Sequence, residues 1–135
     1  MKTRLLFIAL LFVCVSACKK KEEPEPEPEA PSVVIKNYNV MIHVNLGGTT
    51  VGNTITLPNT TLSNSQTLTN IADGFEHRLS GKTGEVITVN GTNTCTSTGY
   101  TSITIEVYLN GTLFKVNGNN NPGGHSSASI SATLP

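Results

Sequence analysis

The chain has no tryptophan, few aromatic residues and few charges, with Lys and Arg balancing Asp and Glu at nine each. Each shortage excludes a class of function. Without an aromatic platform there is no stacking surface for sugars, and beyond residue 32 no cluster of acidic residues supports a calcium loop. From Val33 onward the bases are Lys36, Arg78, Lys82 and Lys115, and the acids are Asp73, Glu76, Glu85 and Glu106. So thin and neutral a set gives no electrostatic case for nucleic acid. His43, His77 and His125 have no metal-ligand spacing, and no cofactor motif is present. Asp73, Glu76 and His77 lie together in "ADGFEHR". On a strand Glu76 and His77 point to opposite faces, so Asp73 reads as a turn residue and Glu76 as a solvated one. No acid–base or nucleophile set appears, and the chain reads as non-enzymatic.

Long apolar runs are also missing. Leu5–Ala17, behind Lys2 and Arg4, is uncharged over 13 residues. As a helix it spans roughly 20 Å, short of the ~30 Å hydrocarbon core of a bilayer. It therefore reads as the apolar part of a secretory signal, residues 1–17. A charged run follows, "CKKKEEPEPEPEAPS". Lys19–Ser32 contain five Glu, four Pro and three Lys, with almost nothing to bury. Such a segment cannot offset the entropy of ordering, and its prolines favour an extended path of about 43 Å at full reach. Residues 18–32 are expected to be a tether.

"VSAC", Val15-Ser16-Ala17-Cys18, resembles the lipobox of bacterial lipoproteins. The resemblance implies cleavage between Ala17 and Cys18, a lipid (palmitate among its chains) on Cys18, and membrane attachment through it. Two or more acyl chains anchor stably where one does not. Lys at position 19, not Asp, is similar to the outer-membrane sorting class of Gram-negative lipoproteins. Lys19, Lys20, Lys21, Glu22 and Glu23 resemble the export signal of lipoproteins displayed on the outer face. The expected location is the outer membrane, facing the periplasm or exposed at the surface. Cys14 leaves with the signal and Cys18 carries lipid, so no intrachain disulfide is available. Cys95 reads as an ordinary buried or strand-end residue, since no Lys, Arg or His stands near it in sequence.

Residues 33–135 are one domain's length. About half of them are Thr, Ser, Asn or Gly, which excludes a helical domain. The period is two: Val34, Lys36, Tyr38, Val40, Ile42, Val44 and Leu46 alternate with a more polar face. Further strands are expected at Val51–Leu57, Leu62–Thr69, Phe75–Ser80, Glu85–Thr92 and 127–134, with small residues on the last placing it at an edge or in a tight space. In "TSITIEVYLNGTLFKVN", Asn110-Gly111 separates two alternating runs, the signature of a two-residue type I′ hairpin. That register sets Val107 opposite Phe114, Ile105 opposite Val116, Glu106 opposite Lys115 and Tyr108 opposite Leu113. The stretch 118–124 reads as a loose loop, a candidate binding loop because it is long and polar.

Seven or eight short strands in about 100 residues predict an all-β antiparallel sandwich of immunoglobulin-like architecture, with a small barrel as the alternative. "ITLPNT", "ITIEVYLNGTLFKVN" and Gly123-Gly124 followed by "SASISATL" together resemble small secreted or lipid-anchored sandwich domains, among them the MmpS-type transport accessory proteins. Asn59 stands where that family carries Trp, and its cysteine pair is absent, so the resemblance implies fold and not activity. Two functions of different class follow. One is a lipid-anchored envelope domain that contacts another envelope or extracellular component. The other is a small-ligand-binding or transport-accessory module. A solvent-open pocket at Tyr38, Phe75 or Tyr100 favours the second, and a filled core with flat faces favours the first.

Overall fold

The computed structural model describes residues 32–48, 51–95 and 99–135. Among these residues eight strands follow one another: β1 Asn37–Gly47, β2 Gly52–Leu57, β3 Gln66–Thr69, β4 Phe75–Lys82, β5 Val86–Thr94, β6 Thr101–Leu109, β7 Thr112–Asn121 and β8 His125–Thr133. They form two four-stranded antiparallel sheets, ordered β4-β1-β6-β7 and β3-β2-β5-β8. The fold is a β-sandwich. Each sheet keeps two edges, so the barrel alternative does not apply.

Alternation decides what is inside. Val40, Ile42 and Val44 of β1 lie opposite Leu109, Val107 and Ile105 of β6 within their sheet, and all six are buried. The opposing sheet contributes Ile55, Leu57, Ile87, Val89 and Ile130. Full burial of each such side chain stabilises the fold by about 1.5–3 kcal/mol. Gly91 points into the same core, where an added Cβ would lie 2.6 Å from Ile103 Cδ1 and 3.1 Å from Ile55 Cδ1. A glycine is therefore needed for the two sheets to close at that point. Small residues do the same for β8, an edge strand whose Ser126, Ala128 and Ala132 are buried. Ser126 Oγ donates to Thr101 O at 2.7 Å, which leaves the Thr101 hydroxyl to donate to Ser126 Oγ at 2.8 Å. This buried pair ties β8 to β6 across the two sheets.

Asn110 and Gly111 have φ of 50° and 84°, the positive pair a type I′ turn requires. The predicted register holds for Leu109–Thr112 and Tyr108–Leu113 and then breaks. Phe114 is an extra residue on β7, half-buried against the core, and this bulge sets Val107 opposite Lys115 and Glu106 opposite Val116. The expected Glu106–Lys115 and Ile105–Val116 pairs do not form. Beyond the bulge, the face of β7 shared with core-facing Ile105 and Ile103 carries Asn117 and Asn119.

That inversion also corrects the loop expected at 118–124, because Gly118–Asn121 belong to β7. Asn117 Nδ2 donates to Ser129 O at 2.7 Å and Asn121 Nδ2 to His125 O at 2.6 Å. Side-chain amides thus occupy carbonyls on the free edge of β8. The strand expected from Leu62 starts only at Gln66, since a turn closed by the Thr60–Ser63 bridge takes up residues 60–63. Thr61 holds that turn down: its N–H, at 3.0 Å, and its hydroxyl both donate to Glu85 Oε1.

Candidate functional site

Ala17, Cys18, Lys19, Lys20, Lys21, Glu22 and Glu23 lie outside the described residues. Among the described ones, polar chemistry converges on the solvent face of the sheet β4-β1-β6-β7. β1 places His43 there because its neighbours Ile42 and Val44 are committed to the core. β6 places Glu106 there for the same reason, and the β1–β6 register sets the two opposite each other. His43 Nδ1 donates to Glu106 Oε2 at 3.1 Å, and Tyr108 Oη donates to the same oxygen at 2.8 Å.

The hydrogen bond from His43, and then that from Tyr108, hold the Glu106 carboxyl below its ordinary value of 4.5. The hydrogen bond to Glu106 pushes the Tyr108 phenol above its ordinary 10.0. Both shifts move away from neutrality. A general acid or base working near pH 7 needs the opposite displacement. The cluster is a fixed patch: a charged carboxylate, a phenol that keeps its proton and an imidazole. Met41 and Leu113 lie opposite Tyr108 on its two sides, and Val116 lies opposite Glu106. Leu113 and Val116 are 49% and 56% exposed.

The other candidates separate. Asp73 is the turn residue expected, its Oδ1 accepting the Leu46 N–H at 2.7 Å. Glu76 lies opposite His43 on the solvent face, while His77 lies opposite Ile42 on the core-facing side, its ring stacked on Phe75 at 6.5 Å. His125 Nδ1 is 3.1 Å from the Thr94 hydroxyl. Cys95 is buried, with Sγ 3.6 Å from Gly99 O. Among the described residues no group of three His, Cys, Asp or Glu side chains is placed to hold a metal ion.

Among the described residues, two surface grooves stand out. One, of about 760 Å³, is lined by Asn39, Met41, Arg78, Ser80, Asn110 and Gly111 over Val40 and Leu79. The other, of about 470 Å³, lies by Leu46, Gly48, Asn53, Asn70, Ile71 and Asp73. Neither is lined by Tyr38, Phe75 or Tyr100. The Tyr38 hydroxyl is engaged, donating to Pro135 O at 2.6 Å.

The alternation of β1 and of β6 puts His43 and Glu106 on outer faces, which is legible in sequence. Their meeting is not, because it depends on the register between strands 63 residues apart.

No protein-family model matches the chain, and no curated protein matches it.

Proposed function

We propose that the protein is a lipid-anchored envelope protein whose β-sandwich acts by contact with another envelope or extracellular component, without catalysis. In this reading the signal is cut after Ala17, Cys18 carries the lipid, Lys19–Glu23 direct export to the outer membrane, and residues 18–32 hold the domain off the bilayer. The observation that carries the binding half is the filled interior. The inward side chains Ile42, Val44, Ile55, Ile87, Val89, Ile103, Ile105 and Val107 are all fully buried. The grooves lie on the surface, away from the aromatic residues a ligand-binding interior would use. The anchoring half is supported by Val15–Cys18 and the charged, proline-rich run behind them.

Labelling cells with a palmitate analogue, in wild type and in Cys18→Ser, tests the anchor. Label in the first and none in the second is expected, and equal labelling overturns it. Protease shaving of intact cells, with Lys19–Glu23 replaced by a neutral run, tests the display. Loss of accessibility in the replaced chain is expected. Unchanged accessibility removes the export role.

A further inference from the structure

We propose that the free edge of β4 is a self-association surface, and that the partner it fits is a second copy of this chain. The sandwich has four strand edges. Those of β7 and β8 are bridged by the Asn117 and Asn121 amides. β3 offers only four residues. β4 offers eight, and among the described residues it pairs only with β1.

Its backbone direction follows from its hydrogen bonds. Thr83 N–H donates to Lys36 O on the β1 side, whereas Ser80 O accepts the Thr60 hydroxyl at 3.0 Å on the other side. Odd-numbered residues of β4 therefore turn their N–H and C=O toward β1, and even-numbered ones turn theirs to the open edge. The Thr60 hydroxyl occupies that edge at Ser80. At Glu76 and Arg78 no backbone partner stands on it among the described residues. This is an unfinished ladder of the kind that accepts another strand.

The side chains say which strand. Glu76 and Arg78 stand on the solvent face, 49% and 78% exposed and 3.6 Å apart. In an antiparallel pairing of two copies about a two-fold axis, edge-facing residues must meet edge-facing residues. Three registers meet that condition near the axis. Centred on residue 76, Glu76 faces its own copy. Centred on residue 78, Arg78 does. Centred on His77, Glu76 faces Arg78 of the second copy and Arg78 faces its Glu76. Only this last register sets opposite charges across the new junction on both sides of the axis. It also sets half-buried Phe75 opposite Leu79, extending the core-facing row, and closes four backbone hydrogen bonds. Ser80, already engaged by Thr60, ends the ladder. Charges that guard an edge do so by meeting their like; here the sequence Glu-His-Arg meets its complement. So short a junction buries less than a standard interface, and the dimer is a weak one.

Sedimentation of the full-length chain in mild detergent, at concentrations up to about 1 mM, tests the proposal. The wild type should pass from monomer to dimer. Glu76→Arg alone and Arg78→Glu alone each set like charges opposite one another, and each should weaken association about tenfold. Mixing the two single variants should restore it, because each then supplies the charge the other lacks. The double exchange in one chain should restore it as well. Both positions are solvent-facing, and circular dichroism matching wild type certifies the fold. A wild type that stays monomeric throughout assigns the edge to a strand of another protein and overturns the proposal. So does association that neither single variant weakens, or that mixing fails to restore. Independently, His77→Cys lies on the axis, where facing Cα atoms are about 4.5 Å apart, within disulfide reach. Oxidation should yield a covalent dimer, while Thr88→Cys on the solvent face of β5 should not. Equal yields from the two positions contradict the register.

Discussion

Asn93 is a polar residue in the wrong place for a hydrophobic core, and removing it should cost the domain much of its stability. It follows Ile87, Val89 and Gly91 on the inward face of β5 and is 0% exposed. Its Nδ2 donates to Gly47 O at 3.1 Å and to Ser102 O at 2.8 Å, joining the end of β5 to the ends of β1 and β6 in the opposite sheet. Two carbonyl acceptors fix the amide's orientation, since the flipped amide would aim oxygen at oxygen. Asn93→Ala removes both hydrogen bonds and leaves the two carbonyls only their partners in the β1–β6 ladder. A hydrogen bond contributes about 0.5–1.5 kcal/mol net, so the two cost about 3 kcal/mol together with the small cavity. For a domain of this size that lowers Tm by about 12–24 °C. Thermal unfolding followed by circular dichroism at pH 7 measures it, with exposed Asn64→Ala as the control. Asn93→Asp separates hydrogen bonding from volume, being nearly isosteric. Ionised, it has no donor and faces two carbonyls, so its folded pKa rises above the ordinary carboxyl value near 3.9. A group with a raised folded pKa favours folding at low pH and loses that contribution as pH rises. The Tm deficit of Asn93→Asp against wild type should therefore shrink on acidification. If Asn93→Ala melts within about 2 °C of wild type, the two hydrogen bonds do not hold the sheets together and the reasoning fails.

Gly91→Val should destabilise by about 1–3 kcal/mol in urea unfolding, because its Cβ meets Ile103, Ile55 and Ile105 within 3.3 Å. Gly111→Val should lose a smaller amount, since at a φ of 84° the strain is local to the turn; a cost equal to that of Gly91→Val would contradict this. Glu106 has a folded pKa below 4.5, so the stability it gives is complete above that pH and lost as pH falls through the folded value. Glu106→Gln should accordingly flatten the acid limb of the Tm–pH curve, and an unchanged limb would remove the cluster's contribution. Ultraviolet titration should find a phenol ionising above 10.0 that moves down in Glu106→Gln and disappears in Tyr108→Phe.

Alternation was the legible part of this chain. The buried rows of β1 and β6, the Asn110-Gly111 turn and an edge or close-packed placement for the last strand all follow from side-chain pattern and turn chemistry. The bulge did not follow, because inserting Phe114 leaves the apolar–polar rhythm before it intact and changes only what lies across from it. Gly118–Asn121 have poor strand propensity and are held extended by pairing with β6 and by amides reaching β8. Leu62 looked like a strand start, but a turn tied to Glu85 takes it. The His43–Glu106–Tyr108 cluster and the Asn93 bridge were hidden for one reason. Both join residues from separate strands, and strand order and register are properties of the assembled sheets, not of any single segment.

The proposed anchor is a lipid-bearing Cys18 that carries this sandwich at the end of a polar tether. Mass spectrometry of the amino-terminal peptide of protein isolated from its native membrane tests it most directly. The expected peptide begins at Cys18 and carries acyl mass on that residue. A peptide that still contains Leu5–Ala17, or one with an unmodified Cys18, would contradict it.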